Sequence, residues 1–351
     1  MGNLVDYLTI ANDRKASDIF IVAGAPISMK IGGVLQPIEE DKIMPDGTKL
    51  LVDEMYELAK RNRELLYDDF EDDFSFAVPG LARYRVNAYI QRGSEAAVIR
   101  TVPFTVPDPD EMNIPDVVMK AAAEEHGMVL VTGTAGSGKS TTQACIIEKI
   151  NNERQGHIIT IEDPIEYLFR NKKCIISQRE MAIDTKNHLS ALRACLRQAP
   201  DVILVGELRD AATIQTALTA AETGHMLMAT LHTKGAANSV DRIIDSFPAD
   251  QQNQVRIQLS SVLRMVISQQ LLPAVGGGMV PAYEVMTANT AVKNLIRDGK
   301  TYQIGNVLTA GGAEGMISMD QYILKLYQEG RITKEVAVAH ADNPEQLSKR
   351  L

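Results

Sequence analysis

Residues 131–142 read VTGTAGSGKSTT, with Gly133, Gly138, Lys139 and Ser140 at the fixed positions of the pattern G-x-x-x-x-G-K-[ST]. Glycines at this spacing let the backbone N–H groups of Thr134, Ala135, Gly136, Ser137, Gly138, Lys139, Ser140 and Thr141 curl around phosphate oxygens. The helix that should follow adds a dipole favouring anions at its N-terminus. Lys139 is placed to reach the β- and γ-phosphates, and the Ser140 hydroxyl to hold Mg²⁺. The bland alternative is a Gly-rich turn. However, an apolar run of strand length (Met128–Val131) precedes the loop, and TTQACIIEKI, with helical periodicity, follows it. That is the context the pattern requires. A nucleoside triphosphate, with ATP as the expected form, is the predicted ligand.

Three further clusters attach to predicted strands, and open α/β sheets bind ligands at the C-terminal ends of their strands. In HIITIEDPIEY a strand runs into Glu162, Asp163 and Glu166. Carboxylates so close repel one another unless a cation or polarised water shares the site; a solvated turn is the plain alternative. DVILVGELRD ends an apolar strand in Gly206 and Glu207, where phosphate-loop enzymes keep an acid for Mg²⁺ or its water. Gly206 takes the place of the usual Asp, so the acid role, and with Ser140 the metal role, falls to Glu207. In ETGHMLMATLHT, His225 enters a strand and His232 leaves it. A structural histidine is the commoner case, but His232 stands where a γ-phosphate sensor would stand.

Arginines form a fourth group. LARYRVNAYI and EAAVIRTV alternate with period two around QRGS, which predicts a hairpin. A turn centred on Arg92 and Gly93 sets Arg85 opposite Arg100, with Arg83 on the same face. Like charges directly opposite destabilise a sheet unless something anionic lies between them. The pair is either a solvated basic face or a device that meets the triphosphate of a neighbouring subunit. An arginine supplied in trans is worth about 10³ to 10⁵ in rate.

The elements that must carry these residues fall into two parts. TVPFTVPDPDEMNIPD holds four prolines and several acids; Pro fixes φ and removes a donor, so it reads as a linker over 103–115. Residues 1–102 mix helical and strand patterns (LVDYLTIAND, DIFIVA, ISMKI, VLQPI, KLLVDEMYELAK), a small α+β domain. In 116–351 the strands MVLVT, HIITI, VILVG and HMLMAT alternate with helical stretches, the pattern of an α/β fold with a parallel sheet covered on both faces. From about Asp241 the chain reads as mainly helical, apart from MVPAYEV.

Composition sets limits. Of 351 residues, 45% are apolar, enough for a core, and 23% are charged. A net charge of −9 argues against a surface built mainly for nucleic acid. Aromatics are 5% and Trp is absent, which leaves little for base stacking by a nucleic-acid translocase. No transmembrane run or signal peptide is legible. Cys145, Cys174 and Cys195 are scattered and read as small apolar residues in a reducing compartment.

Taken together, these segments resemble the secretion ATPases of type II secretion and type IV pili, and within that family the retraction motors. GTAGSGKSTT resembles the Walker A box, with Thr134 and Ala135 in place of Pro and Thr. ITIEDPIEY resembles the Asp box, DVILVGELRD the Walker B box and AETGHMLMATLHT the His box. ASDIF and RYRVNAY with AVIR resemble a PAS-like N-terminal domain, although Phe20 stands where the family has His. Arg197-Gln198-Ala199-Pro200 also departs from the family's Arg-Glu-Asp-Pro. AVKNLIRDGK (291–300) is similar to a motif of the retraction branch; otherwise it is a plain amphipathic helix. Assembly motors usually carry extra N-terminal domains and a four-cysteine zinc insert, which this sequence lacks.

The resemblance implies a PAS-like domain joined to a RecA-like ATPase domain with a helical C-terminal part. It makes Glu166 the general base, Glu207 an acid acting through Mg²⁺, and His232 a γ-phosphate sensor. Arg85 and Arg100 would act from the adjacent chain, while Glu162, Asp163, His225 and Arg83 join the nucleotide contacts. It further implies a homo-hexamer, cytoplasmic and peripheral at the inner face of the membrane. Hydrolysis there turns an inner-membrane platform protein so that pili retract and the cell twitches. An assembly or accessory ATPase is the alternative, and a small-molecule kinase suits paired acids and trans arginines less well.

Overall fold

The computed structural model describes residues 2–102 and 105–351. The backbone divides into two compact units, one running to Thr105 and taking in 166–168, the other comprising 106–165 and 169–351. Of the expected linker, Pro103 and Phe104 lie outside the described residues. Residues 105–115 hold no helix or strand. No helix among the described residues is long and apolar enough to cross a membrane.

The first unit runs α1 (Leu4–Asp13), β1 (Asp18–Ile21), β2 (Pro26–Ile31), β3 (Val34–Lys42), α2 (Pro45–Ala59), α3 (Glu64–Asp69), β4 (Glu71–Val78), β5 (Ala82–Gln91) and β6 (Ser94–Val102). Its six strands form one antiparallel sheet in the order β3-β2-β1-β6-β5-β4. Along β5 the alternate residues Ala82, Tyr84, Val86 and Ala88 are buried among Leu8, Leu51 and Met55 of α1 and α2. The intervening Arg83, Arg85 and Asn87 therefore face away from the core. β5 and β6 meet in a two-residue turn, Gln91 pairing with Ser94. Arg92 (φ 50°) and Gly93 (φ 75°) are both left-handed, the backbone a tight hairpin needs to match strand twist.

The second unit contains α4 (Asp116–Met119), β7 (Gly127–Thr132), α5 (Lys139–Glu153), β8 (Gly156–Glu162), β9 (Cys174–Glu180), α6 (His188–Cys195), β10 (Val202–Val205), α7 (Ala211–Glu222) and β11 (Met226–Leu231). There follow α8 (Ala236–Asp245), α9 (Ala249–Val262), β12 (Leu263–Pro273), β13 (Met279–Thr287), α10 (Thr290–Arg297), α11 (Ile304–Ala310), α12 (Met319–Gln328), α13 (Lys334–His340) and α14 (Pro344–Ser348). Seven strands lie in the order β13-β12-β7-β11-β10-β8-β9. All neighbours are parallel except the edge pair β12/β13.

Alternate residues of each central strand enter opposite layers. Leu130, Ile159, Ile203 and Leu227 pack with Ile214, Leu218 and Ile243 on one face. Val129, Ile158, Leu204 and Met228 pack with Ile146, Ile147 and Ile150 on the other. Each such buried aliphatic side chain contributes about 1.5–3 kcal/mol relative to exposure. The chain is thus α/β, with the phosphate-loop strand β7 inside the sheet.

One element is missing from the expectation. After Asp241 the chain is mainly helical, but besides the strand at MVPAYEV it holds LRMVISQQLLP as the eleven-residue strand β12. Buried on both faces, it shows no period-two alternation. Ser268, Gln269 and Gln270 also interrupt its apolar run while themselves being buried. β4 and β9 are likewise strands that the apolar runs do not announce. At EDDFSFAV, Asp72 is turned inward and paired with Arg61 and Tyr56.

Candidate active site

Because β7, β8, β10 and β11 are parallel, their C-terminal ends share one edge of the sheet, and the loops that follow them converge there. The phosphate loop closes tightly after β7. Gly133 has φ +145°, and a Cβ on it would lie 2.3 Å from the Gln269 carbonyl oxygen and 2.6 Å from Ser137 Oγ. Gly136 and Gly138 are left-handed as well. Such a run of turned peptides makes a concave nest of N–H groups at the start of α5.

Lys139 is buried, and its Nζ donates to the carbonyls of Gly133 (2.8 Å) and Thr134 (2.9 Å). The ammonium is therefore already held within the loop, next to where phosphates would be cradled. Ser140, half-buried, opens the first turn of α5. These features fit a polyphosphate: a cradle that a side chain would fill, a buried cation and a helix N-terminus.

Gln269 backs this loop. β12 pairs with β7 up to Ser268 opposite Thr132 and then continues past the end of β7. This carries the next residue, Gln269, alongside the loop, where its Nε2 donates to the Ser137 carbonyl at 2.6 Å. The contact went unforeseen because it depends on a strand the periodicity hides.

At the ends of β10 and β11, Glu207 and His232 come together. His232 Nε2 lies 3.6 Å from Glu207 Oε1, and Arg209 Nε donates to Glu207 Oε2 at 2.7 Å. This hydrogen bond from Arg209 to the carboxylate holds the guanidinium above its ordinary pKa. Two bonds lace the turn: Leu208 N–H donates to the Thr230 carbonyl at 3.1 Å, and the Thr230 hydroxyl donates to the Gly206 carbonyl. At position 206 a Cβ would sit 3.1 Å from the Ile161 carbonyl oxygen, a tight contact between the ends of β8 and β10.

Beside this pair is a cavity of about 300 Å³ lined by His188, Glu207, Arg209 and Asp210, among others. Burial pushes the His188 imidazole below its usual pKa, opposed by the charges of Asp163, Glu207 and Asp210. Asp210 caps α7 by accepting from Thr213 N–H at 2.9 Å, which lowers its own pKa.

Glu162 lies at the end of β8 and accepts from the Thr160 hydroxyl (2.6 Å) and from Gln178 Nε2 (3.2 Å). Asp163 is exposed. The segment after it is anchored by β9, since Ile165 N–H donates to Glu180 Oε2 (3.3 Å) and Phe169 N–H to Gln178 Oε1 (2.9 Å). Glu166, between those anchors, is exposed and groups with the first unit.

His225 requires a correction as a nucleotide contact. It immediately precedes β11, where Met226 is in register with Gly127 at the start of β7. It therefore stands at the sheet edge opposite the phosphate loop, its Nδ1 within 3.0 Å of the Ala220 carbonyl oxygen. Entering a parallel strand and leaving it are opposite ends of the sheet, so His225 and His232 cannot serve one loop within this chain.

The arginines occupy the first unit. Arg85 does pair with Arg100 across β5 and β6. The chain itself supplies one counter-charge: Asp18 on β1 is opposite Arg100 on its other side and accepts from its Nε at 2.8 Å. Arg83 Nη2 donates to Ser75 Oγ at 2.6 Å. Arg85 has Ser75 and Arg100 as its direct cross-strand neighbours, and the acid of that row, Asp18, lies beyond Arg100.

Comparison with known proteins agrees with this architecture. Residues 4–278 match the family model for type II/IV secretion system proteins. The type IV pilus retractation ATPase PilT of Pseudomonas aeruginosa is 42% identical over 344 residues, covering 98% of this chain and 99% of its own. A twitching motility protein of Neisseria gonorrhoeae is 50% identical over 287 residues, 82% of this chain and 77% of its own. The crystal structure of the pilus retraction motor PilT with bound ADP superposes with a TM-score of 0.92 at 43% identity, covering 100% of both chains. The chain belongs to the type II/IV secretion system protein family.

Proposed function

We propose that this chain is an ATP-hydrolysing motor that forms a hexameric ring and powers retraction of type IV pili. The observation that carries the reading is the meeting of the phosphate loop and the Glu207–His232 pair at one sheet edge. It occurs in a chain similar along its whole length to a pilus retraction ATPase.

The loop N–H groups of 134–141 and Lys139 bind the triphosphate. Ser140 and Glu207 hold Mg²⁺, which when bound neutralises phosphate charge. Glu166 orients the attacking water and accepts its proton, a role worth about 10² to 10⁴ in rate for a placed base. His232, linked to Glu207, reports the presence of the γ-phosphate to the end of β11. Arg85 and Arg100 serve a neighbouring subunit's nucleotide, supported by the direct cross-strand pairing of the two like charges, in which the direct partners of Arg85 are Ser75 and Arg100. Residues 1–102 act as a PAS-like domain, 103–115 as linker and 116–351 as a RecA-like ATPase domain. The motor works from the cytoplasmic face of the inner membrane on a platform protein.

Counting surface pili on cells with and without the gene tests the proposal. Retraction requires that the deletion carry more pili, while bald cells would mean an assembly motor.

A further inference from the structure

We propose that Gln269 is a positioning residue of the phosphate loop, fixing the Ser137–Gly138 peptide with its N–H toward the bound phosphates. The inference rests on the nucleotide-binding reading above. A trans peptide is planar, and its C=O and N–H point in opposite directions. Gln269 Nε2 holds the Ser137 carbonyl toward β12 at 2.6 Å. The Gly138 N–H of the same peptide must then point away from β12.

This orientation matters because an anion in the loop is attracted by N–H dipoles and repelled by C=O dipoles. Each carbonyl turned outward is an N–H turned inward. The Gly133 and Thr134 carbonyls are occupied by Lys139 Nζ, a long side chain that must also serve the phosphates. The Ser137 carbonyl is held instead by a side chain on a sheet strand. Gln269 is only 1% exposed, and Ser137 3%. No water competes for a bond so enclosed, and the backbone of Gln269 leaves no room for a Cβ at Gly133. Gln269 thus meets the loop at two points, its backbone packed close against Gly133 and its side-chain amide bonded to the Ser137 carbonyl.

Two variants separate positioning from plain support. Gln269→Met keeps length and removes the donor; Gln269→Glu keeps shape and sets an acceptor against the carbonyl. Affinities for ADP and AMP are measured by calorimetry, and KM and kcat by steady-state ATP hydrolysis. Removing one hydrogen bond of ordinary strength predicts about 2- to 10-fold weaker ADP binding in the Met variant. AMP, lacking the β-phosphate, should bind as to the unmodified chain. KM should rise in the same proportion, with kcat within about twofold, and the Glu variant should lose more.

Equal losses for ADP and AMP, a fall in kcat alone, or undiminished ADP affinity in both variants would overturn the inference. If the unmodified chain bound neither nucleotide, the nucleotide reading would fail first and take this inference with it.

Discussion

His232 Nε2 lies 3.6 Å from Glu207 Oε1 across the ends of two adjacent parallel strands. The imidazole, half in solvent, reaches a carboxylate that Arg209 already engages from the other side. A change at either residue is therefore felt by the other. Glu207→Gln and His232→Ala should each lower kcat/KM, and the double variant should lose less than the sum of the two. Contacting residues typically couple by about 0.5–3 kcal/mol. Strict additivity in a double-mutant cycle would deny the link.

Glu166→Gln should reduce hydrolysis by about 10²- to 10⁴-fold, with ATP binding retained in equilibrium titration. If Arg85 and Arg100 act across subunits, mixing inactive Glu166→Gln chains with inactive Arg100→Ala chains should recover part of the activity. Mixed rings that form, by native mass spectrometry, yet stay inactive would count against a shared site.

Gly133→Ala meets two obstacles at once. Its φ of +145° is strained for any L side chain, and its Cβ would press on the Gln269 carbonyl at 2.3 Å. Backbone strain of this kind costs about 1–3 kcal/mol, with the collision added. The variant should melt at lower temperature and lose ATP binding. Gly136→Ala, with φ +73° but open space around its Cβ, should lose less on both counts.

His188 gives a pH dependence of defined sign. Burial lowers its pKa below the ordinary 6.5, so the unfolded chain takes up a proton more readily than the folded one. Stability is then fully present above pH 6.5 and declines as pH falls from 6.5 toward the folded value. Urea midpoints between pH 5 and 7 should fall with acidity, and His188→Phe should flatten that part of the profile. An unchanged slope would remove His188 from the account.

What was legible in the sequence was mostly local. The phosphate loop declares itself by spacing, and the Arg92–Gly93 turn sets the Arg85–Arg100 register because both positions require φ above zero. The four apolar parallel strands stood out as short runs between helical stretches. What stayed hidden depends on distant partners. β12 carries Ser268, Gln269 and Gln270 in its interior, and these bond with Gly235 N–H, the Ser137 carbonyl and His340. A strand whose polar residues are buried for tertiary reasons leaves no periodic trace. β9 pins the segment around Glu166 through Gln178 and Glu180, and neither side chain has a local signature. His225 was misplaced for another reason: a histidine on each side of a strand looks symmetric in sequence, although the sheet has two different edges.

The support of Ser137 by Gln269 spans 132 positions along the chain. At roughly 5–20 residues per second, a ribosome releases the nucleotide loop about 7 to 26 seconds before the glutamine that steadies it. Once β11 has paired with it and until β12 docks, β7 is a border strand, with one row of backbone N–H and C=O groups unpaired and open to any extended segment nearby. The nascent ATPase domain thus passes through a period in which the strand that carries its nucleotide loop is also an open edge, ended only when Leu263–Pro273 docks.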